Sequence, residues 1–207
     1  MEKKHSEALK LIAAVSMVID HIGFAFFPKL ILLRIIGRLA FPIYAYQIAL
    51  GWKKTSSKKK YIGRLTAVMV LAQLPYMLML GKLRFNVIAT FIAALGIIEF
   101  GKTRRYIWLM PALLVPFGVD YGIYGVATVL MFYCEDKLGD YAVPGFILLN
   151  LGYCSLTGYG VQYFSILALP LIKSRLAING LSISKGAFYA VYPVHMALIV
   201  IIRTWLQ

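Results

Sequence analysis

The chain has 207 residues, of which 61% are hydrophobic and 14% charged, with a formal net charge of +14. Soluble domains carry roughly a quarter charged residues, so this composition, with a mean hydropathy of +0.78, excludes an ordinary soluble enzyme. The positive charge does not mark a nucleic-acid binder, because the basic residues gather at the ends of apolar runs, as membrane-topology determinants do.

Apolar runs of about 17–23 residues recur along the chain, the length that crosses a ~30 Å hydrocarbon core. Strand-length alternation is absent, which argues against a barrel. The reading is an all-α, polytopic integral membrane helical bundle with a single domain over 1–207. About nine transmembrane helices are expected: 8–27, 30–52, 61–80, 84–100, 105–119, 121–138, 141–157, 160–173 and 185–206. The segment 160–173 also fits a re-entrant loop, which would change the side of the C-terminus.

The opening MEKKHSEALK is basic like the start of a signal peptide. The run behind it is longer than a signal core and carries Asp20–His21, so it reads as a retained first helix. On this map sixteen basic residues fall on one side: Lys3, Lys4, Lys10, Lys53, Lys54, Lys58, Lys59, Lys60, Arg64, Lys102, Arg104, Arg105, Lys137, Lys173, Arg175 and Lys185. Four fall on the other, Lys29, Lys82, Arg84 and Arg203. The asymmetry predicts a cytoplasmic N-terminus and an outer C-terminus. KKTSSKKK (53–60) is a solvated cytoplasmic loop, and Cys134 and Cys154 are small buried hydrophobes without metal-ligand spacing.

The chemistry lies in groups that do not belong in hydrocarbon. Asp20 and His21 are adjacent in helix 1, pointing ~100° apart, and a buried ionisable pair costs several kcal/mol. Histidine can serve as a base while a nearby carboxylate fixes its tautomer. The competing reading is an interhelical hydrogen bond that only holds the bundle together. In helix 2, LLRIIGRLAFPIYAY (32–46), Arg34 and Arg38 share a face. Pro42 removes the amide that would bond the Arg38 carbonyl, which predicts a kink. Arginines do not shed their charge, so they need either a structural partner in Asp20 or an anionic ligand.

Near the C-terminus, FYAVYPVHMAL (188–198) sets Tyr189, Tyr192 and His195 at three-residue steps within a ~120° arc. They form either an oxyanion or proton-relay strip, or a core aromatic stripe. FNVIAT puts Asn86 just inside helix 4, and Asp120 in DYGIYG is placed to cap helix 6.

Taken together, LKLIAAVSMVIDHIG, LRIIGRLAFPIYAYQIALG, KYIGRLTAVMVLAQLPY, FNVIAT, DYGIYGV and FYAVYPVHMAL resemble the TraX family, in its order and over most of the chain. Founding members of that family are inner-membrane proteins that N-acetylate the first residue of conjugative pilin, with a distant similarity to the acyltransferase-3 family. The resemblance implies a bacterial inner-membrane acetyltransferase. It would use acetyl-CoA as acyl donor, no metal, and the amine of a peptide N-terminus or related small substrate as acceptor. By position, the similarity to the wider acyltransferase group assigns the catalytic histidine to His21 and the donor contacts to Arg34 and Arg38; the reading of the residues themselves adds Asp20 as the orienter of His21 and Asn86 as a further donor contact. Tyr189, Tyr192 and His195 would supply the oxyanion or relay group.

Chemically, an α-amino group with pKa ~8 is mostly protonated at pH 7 and needs a base. The oxyanion needs donors, and the coenzyme phosphates need cations. Acetyl-CoA is cytoplasmic, whereas these groups fall in the outer half of the membrane; a pantetheine arm of roughly 15–20 Å bridges that gap. The alternative class is a small-molecule transporter or flippase using the same groups as a substrate or proton path. A non-catalytic assembly factor would leave the buried arginines unexplained.

Overall fold

The computed structural model describes residues 2–115, 118–174, 176 and 184–206, without the side chains of residues 2, 3 and 185. Arg175 of the charge map therefore lies outside the described residues, as do the side chains of Lys3 and Lys185. Every regular element among the described residues is helical: α1 (Glu2–Phe26), α2 (Ile31–Gly37), α3 (Ala40–Lys54), α4 (Lys58–Leu80), α5 (Val87–Thr103), α6 (Gly122–Tyr133), α7 (Glu135–Leu138), α8 (Ala142–Thr157), α9 (Ala168–Lys173) and α10 (Lys185–Trp205). Three 3₁₀ segments, Tyr106–Leu114, Gly139–Tyr141 and Gly160–Leu167, complete them.

Among the described residues, four stretches are long and apolar enough to cross a membrane: Lys4–Phe26, Ile31–Lys54, Lys58–Leu80 and Gly186–Trp205. Expected helices 84–100 and 141–157 are present as α5 and α8, whereas others differ from the sequence reading in instructive ways. Helix 105–119 is a 3₁₀ segment as far as Leu114, and helix 121–138 breaks at Cys134 into α6 and α7. Helix 30–52 is two helices, parted at Arg38–Leu39. Pro42 is the cause: it cannot donate to the Arg38 carbonyl, and the Arg38 and Leu39 amides instead make tight bonds to Ile35 and Ile36 at 3.1 and 3.3 Å.

The expected segment 160–173 starts as 3₁₀ and finishes as α9. A 3₁₀ turn rises about 2.0 Å per residue against 1.5 Å in an α-helix, so fourteen residues here reach ~25 Å. One end meets Arg34 through Tyr159, 3.1 Å away, and the other meets Glu135 through Lys173.

Lys53 pairs with Asp136 at 2.6 Å, and the His5 ring nitrogens lie 3.1 and 2.9 Å from the carbonyl oxygens of Ile172 and Leu176. At the opposite end Arg203 donates to the Met79 carbonyl at 3.2 Å, and Phe85 bridges Val119.

Helix α5 is the hub, packed against α3, α4, α6 and the 3₁₀ segment Tyr106–Leu114. Its residues from Ile88 to Ile98 are buried on nearly every face, apart from Ile97, as expected of a helix apolar all round. Small residues set its spacing, as in membrane bundles generally: a Cβ on Gly96 would lie 2.2 Å from the Trp108 carbonyl oxygen. Pro75 and Pro193 sit inside α4 and α10 without ending them.

Candidate active site

The site lies where α1, α2 and α10 converge, in a cavity of about 320 Å³ also lined by residues of α3, α4, α5 and α8 and by Asp120 and Tyr121 ahead of α6. Its first component is an ion cluster. Asp20 accepts from Arg38 Nη2 at 2.6 Å through Oδ1 and from Arg34 Nη1 at 3.0 Å through Oδ2. Arg34 also donates to the main-chain oxygen of Asp20 at 3.0 Å and to the Tyr159 hydroxyl at 3.1 Å. Arg38 donates further to Gln162 Oε1 at 3.2 Å and to the Tyr121 hydroxyl at 3.4 Å.

Glycine makes this approach possible. A Cβ at Gly37 would lie 2.2 Å from Asp20 Oδ1, so any other residue there pushes the carboxylate out. Tyr121 supplies a second constraint. Its φ of 60° is in the left-handed region, rare for a bulky residue. Its ring stacks on Phe41 with centroids 3.9 Å apart, which helps hold that backbone in place.

Beyond Arg38 the polar groups continue inward. Gln162 Nε2 donates to the Tyr124 hydroxyl at 3.1 Å, and that hydroxyl donates to Asn150 Oδ1 at 2.9 Å. Ser165 donates to the same oxygen, and Asn150 Nδ2 donates to the Phe146 carbonyl at 2.8 Å. Each buried group is thereby satisfied, and five elements are tied together.

The second component is a pair of histidines. His21 Nδ1 lies 2.7 Å from His195 Nε2, and His195 Nδ1 lies 2.6 Å from the Val191 carbonyl oxygen. The ring planes are within 11° and the centroids 5.0 Å apart, which is the edge-to-edge geometry of an in-plane hydrogen bond. A carbonyl can only accept, so His195 carries its proton on Nδ1 and accepts at Nε2. His21 must then donate from Nδ1, which leaves its Nε2 unprotonated. That nitrogen has no hydrogen-bond partner among the described residues, and His21 lines the cavity while His195 lies behind it.

Several expected roles are redistributed. Asp20 does not orient His21; both of its oxygens are taken by arginines, and His195 is the orienter. Tyr192 lines this cavity, but Tyr189 lines a different one, because a strip rising about 9 Å along α10 leads from one to the other. Asn86 is not a ligand group. It is fully buried and caps α5, with Oδ1 accepting from the Ile88 amide at 3.1 Å and Nδ2 donating to Met69 and Gln73 at 2.8 and 3.0 Å. Asp120 does not cap α6. Its carboxylate accepts from the Tyr121 amide at 3.1 Å, and it lines the cavity together with Arg84.

Arg84 and Asp120 were not among the expected site residues; the Phe85–Val119 bridge brings them there. The lone amide Gln162 in an apolar segment was the available signal for the inward network. Three arginines thus face two aspartates around the cavity, leaving one positive charge in excess. Among the described residues no group of histidine, cysteine and acidic side chains could hold a metal ion.

Comparison with known proteins gives a consistent kinship. The chain is 28% identical to the "Probable fimbrial assembly protein FimC, serogroup H1" of Dichelobacter nodosus, over 96% of both chains. It is 43% identical over 42 residues, 20% of this chain and 17% of the other, to the "Uncharacterized protein RP591" of Rickettsia prowazekii (strain Madrid E). No solved structure matches it significantly. The profile described as "TraX protein" matches residues 5–203, so this membrane protein belongs to the TraX family.

Proposed function

We propose that the protein is an acetyl-CoA-dependent acetyltransferase of a bacterial inner membrane, acting on the amine of a peptide N-terminus. The observation that carries this reading is the directed pair Val191–His195–His21, which leaves His21 Nε2 as a base beside a net cationic cavity. The acceptor amine attacks the thioester carbonyl, and its proton passes to His21 Nε2. The tetrahedral oxyanion forms beside the Arg34–Arg38 wall, whose surplus charge favours it. Collapse expels the thiolate, which takes the proton from His21 and leaves as free coenzyme A.

The acceptor is inferred from the fimbrial relative and from the pilin acetylation known for founding members of the family. The proposal includes distant kinship with acyltransferase-3 enzymes. It also includes about nine crossings, with the N-terminus and the 53–60 loop in the cytoplasm.

The test is direct. Purified protein in detergent, given radiolabelled acetyl-CoA and a synthetic peptide with a free N-terminus, is expected to label the peptide and release one thiol per acetyl group. A protein that moves the peptide or acetyl-CoA across vesicles without releasing thiol would be a transporter, and the reading would fall. Labelling of Ser57→Cys only after permeabilisation checks the orientation.

A further inference from the structure

A second cavity, of about 630 Å³, opens at the other end of the bundle. Lys10, Lys54 and Arg64 line it, with Glu7, which pairs with Lys10 at 2.7 Å, as the one acidic side chain in its wall among the described residues. Phe188 lies there with its ring 5.7 Å from the Lys10 ammonium and 5.7 Å from the Tyr44 ring. Cations gathered around aromatic faces suit a phosphorylated purine: the ammonium and guanidinium groups bind phosphate oxygens, and a ring stacks on the base. The proposed chemistry of the first cavity uses none of these residues.

Tyr44 connects the two spaces. It lines both cavities, and its hydroxyl has no hydrogen-bond partner among the described residues. Along α1, the rise from Lys10 to His21 is about 16 Å, which matches a pantetheine arm of roughly 15–20 Å. The Arg34–Arg38 pair suits the nucleotide end poorly. The Arg38 side chain is only 4% exposed, and its donors are already taken by Asp20, Gln162 and Tyr121.

We infer that this vestibule holds the phosphorylated adenosine end of the acyl donor, and that the pantetheine arm passes Tyr44 into the His21 cavity. The inference rests on the acetyl-CoA reading above and moves the donor phosphates away from Arg34 and Arg38. Phosphate of an anionic lipid headgroup offers the same chemistry at a membrane surface, so the assay has to separate the two sources.

The probe is adenosine 3′,5′-bisphosphate, titrated calorimetrically into intact protein in nanodiscs of neutral lipid. Wild type and Arg34→Gln are expected to bind it equally. Lys10→Gln combined with Arg64→Gln is expected to bind about tenfold to a hundredfold more weakly, as loss of charge-assisted bonds implies. S-acetyl-pantetheine, which lacks the nucleotide, is expected to react equally with wild type and the double variant. No binding by wild type, as a site for lipid alone gives, would overturn the inference. So would equal binding by the double variant, or loss of binding in Arg34→Gln instead. Binding is read without turnover: nucleotide held in the vestibule by a protein that never releases thiol refutes acetyl transfer and leaves the site standing. Transfer from acetyl-CoA at the wild-type rate and affinity in the double variant removes the vestibule alone.

Discussion

Asp20 and Asp136 are both aspartates paired with basic side chains at 2.6 Å, at opposite ends of the bundle. The Asp20 side chain is 11% exposed and holds two arginines that are themselves fastened to Gln162, Tyr121 and Tyr159; that of Asp136 is 83% exposed and holds Lys53 alone. The exposed pair forms and breaks in water at little cost either way. The buried cluster cannot be dismantled one member at a time, because each partner removed leaves a charge with no water to receive it. Charge thus organises a buried site in the Asp20 cluster, whereas the Lys53–Asp136 pair only decorates the surface.

Six substitutions probe that contrast. The largest effect is expected from His21→Ala, which removes the base beside the buried cluster. Thiol release should fall about 10²–10⁴-fold, the usual worth of general-base catalysis, while the melting temperature holds. A folded His21→Ala protein with full turnover would remove His21 from the mechanism. His195→Ala should lose less and should alter the ascending limb of the pH–rate profile, since it acts by fixing the His21 tautomer.

Next is Asp20→Ala, which leaves Arg34 and Arg38 facing each other. Chemical unfolding in detergent should show a loss of about 3–5 kcal/mol, the range for breaking a buried pair. Gly37→Ala should mimic it by displacing the carboxylate. A melting curve unchanged by Asp20→Ala would place the cluster among the decorative pairs.

Asn150→Ala leaves the cluster intact but strips the Tyr124 and Ser165 hydroxyls of their shared acceptor. A loss of about 1–3 kcal/mol is expected, the cost of buried groups left unpaired, with thiol release altered less than by Asp20→Ala. The smallest effect belongs to Asp136→Asn. The Lys53 ammonium, bonded to the carboxylate, holds Asp136 below the usual carboxylate range. Whatever stability the pair adds is therefore present at neutral pH and fades as acid protonates Asp136. Melting temperatures of variant and wild type should differ slightly at pH 7 and converge in acid; a difference that widens in acid would reverse the assignment.

The α2–α3 break was legible because it is local: Pro42 denies a bond to a carbonyl four residues back, whatever surrounds it. The divergence of Asp20 and His21 was legible too, since adjacent helical residues must point apart, one here to the arginines and the other to His195. What could not be read was which distant group each one meets. His195 is 174 residues away from His21, and no local pattern records that their rings meet edge to edge. Asn86 was misread because a polar residue opening an apolar helix looks alike whether it greets a ligand or caps the helix. The 3₁₀ segments escaped because apolar periodicity reports burial, whereas the stretched rise of Gly160–Leu167 answers to the span it has to cover.

The Val191 carbonyl closes one end of the histidine pair, and a line of hydrogen bonds sealed at one end has a resting polarity. A proton arriving on His21 Nε2 cannot be handed on through His195 to the far side, because the carbonyl at the end accepts a bond and never a proton. It has to leave by the face it came from. In the proposed reaction that means the proton taken from the amine goes to the departing thiolate within the same cavity, so each cycle is electrically silent across the membrane. The reaction should then run at one speed in energised and de-energised vesicles, whereas a transporter drawing on the same histidines would slow when the gradient collapsed.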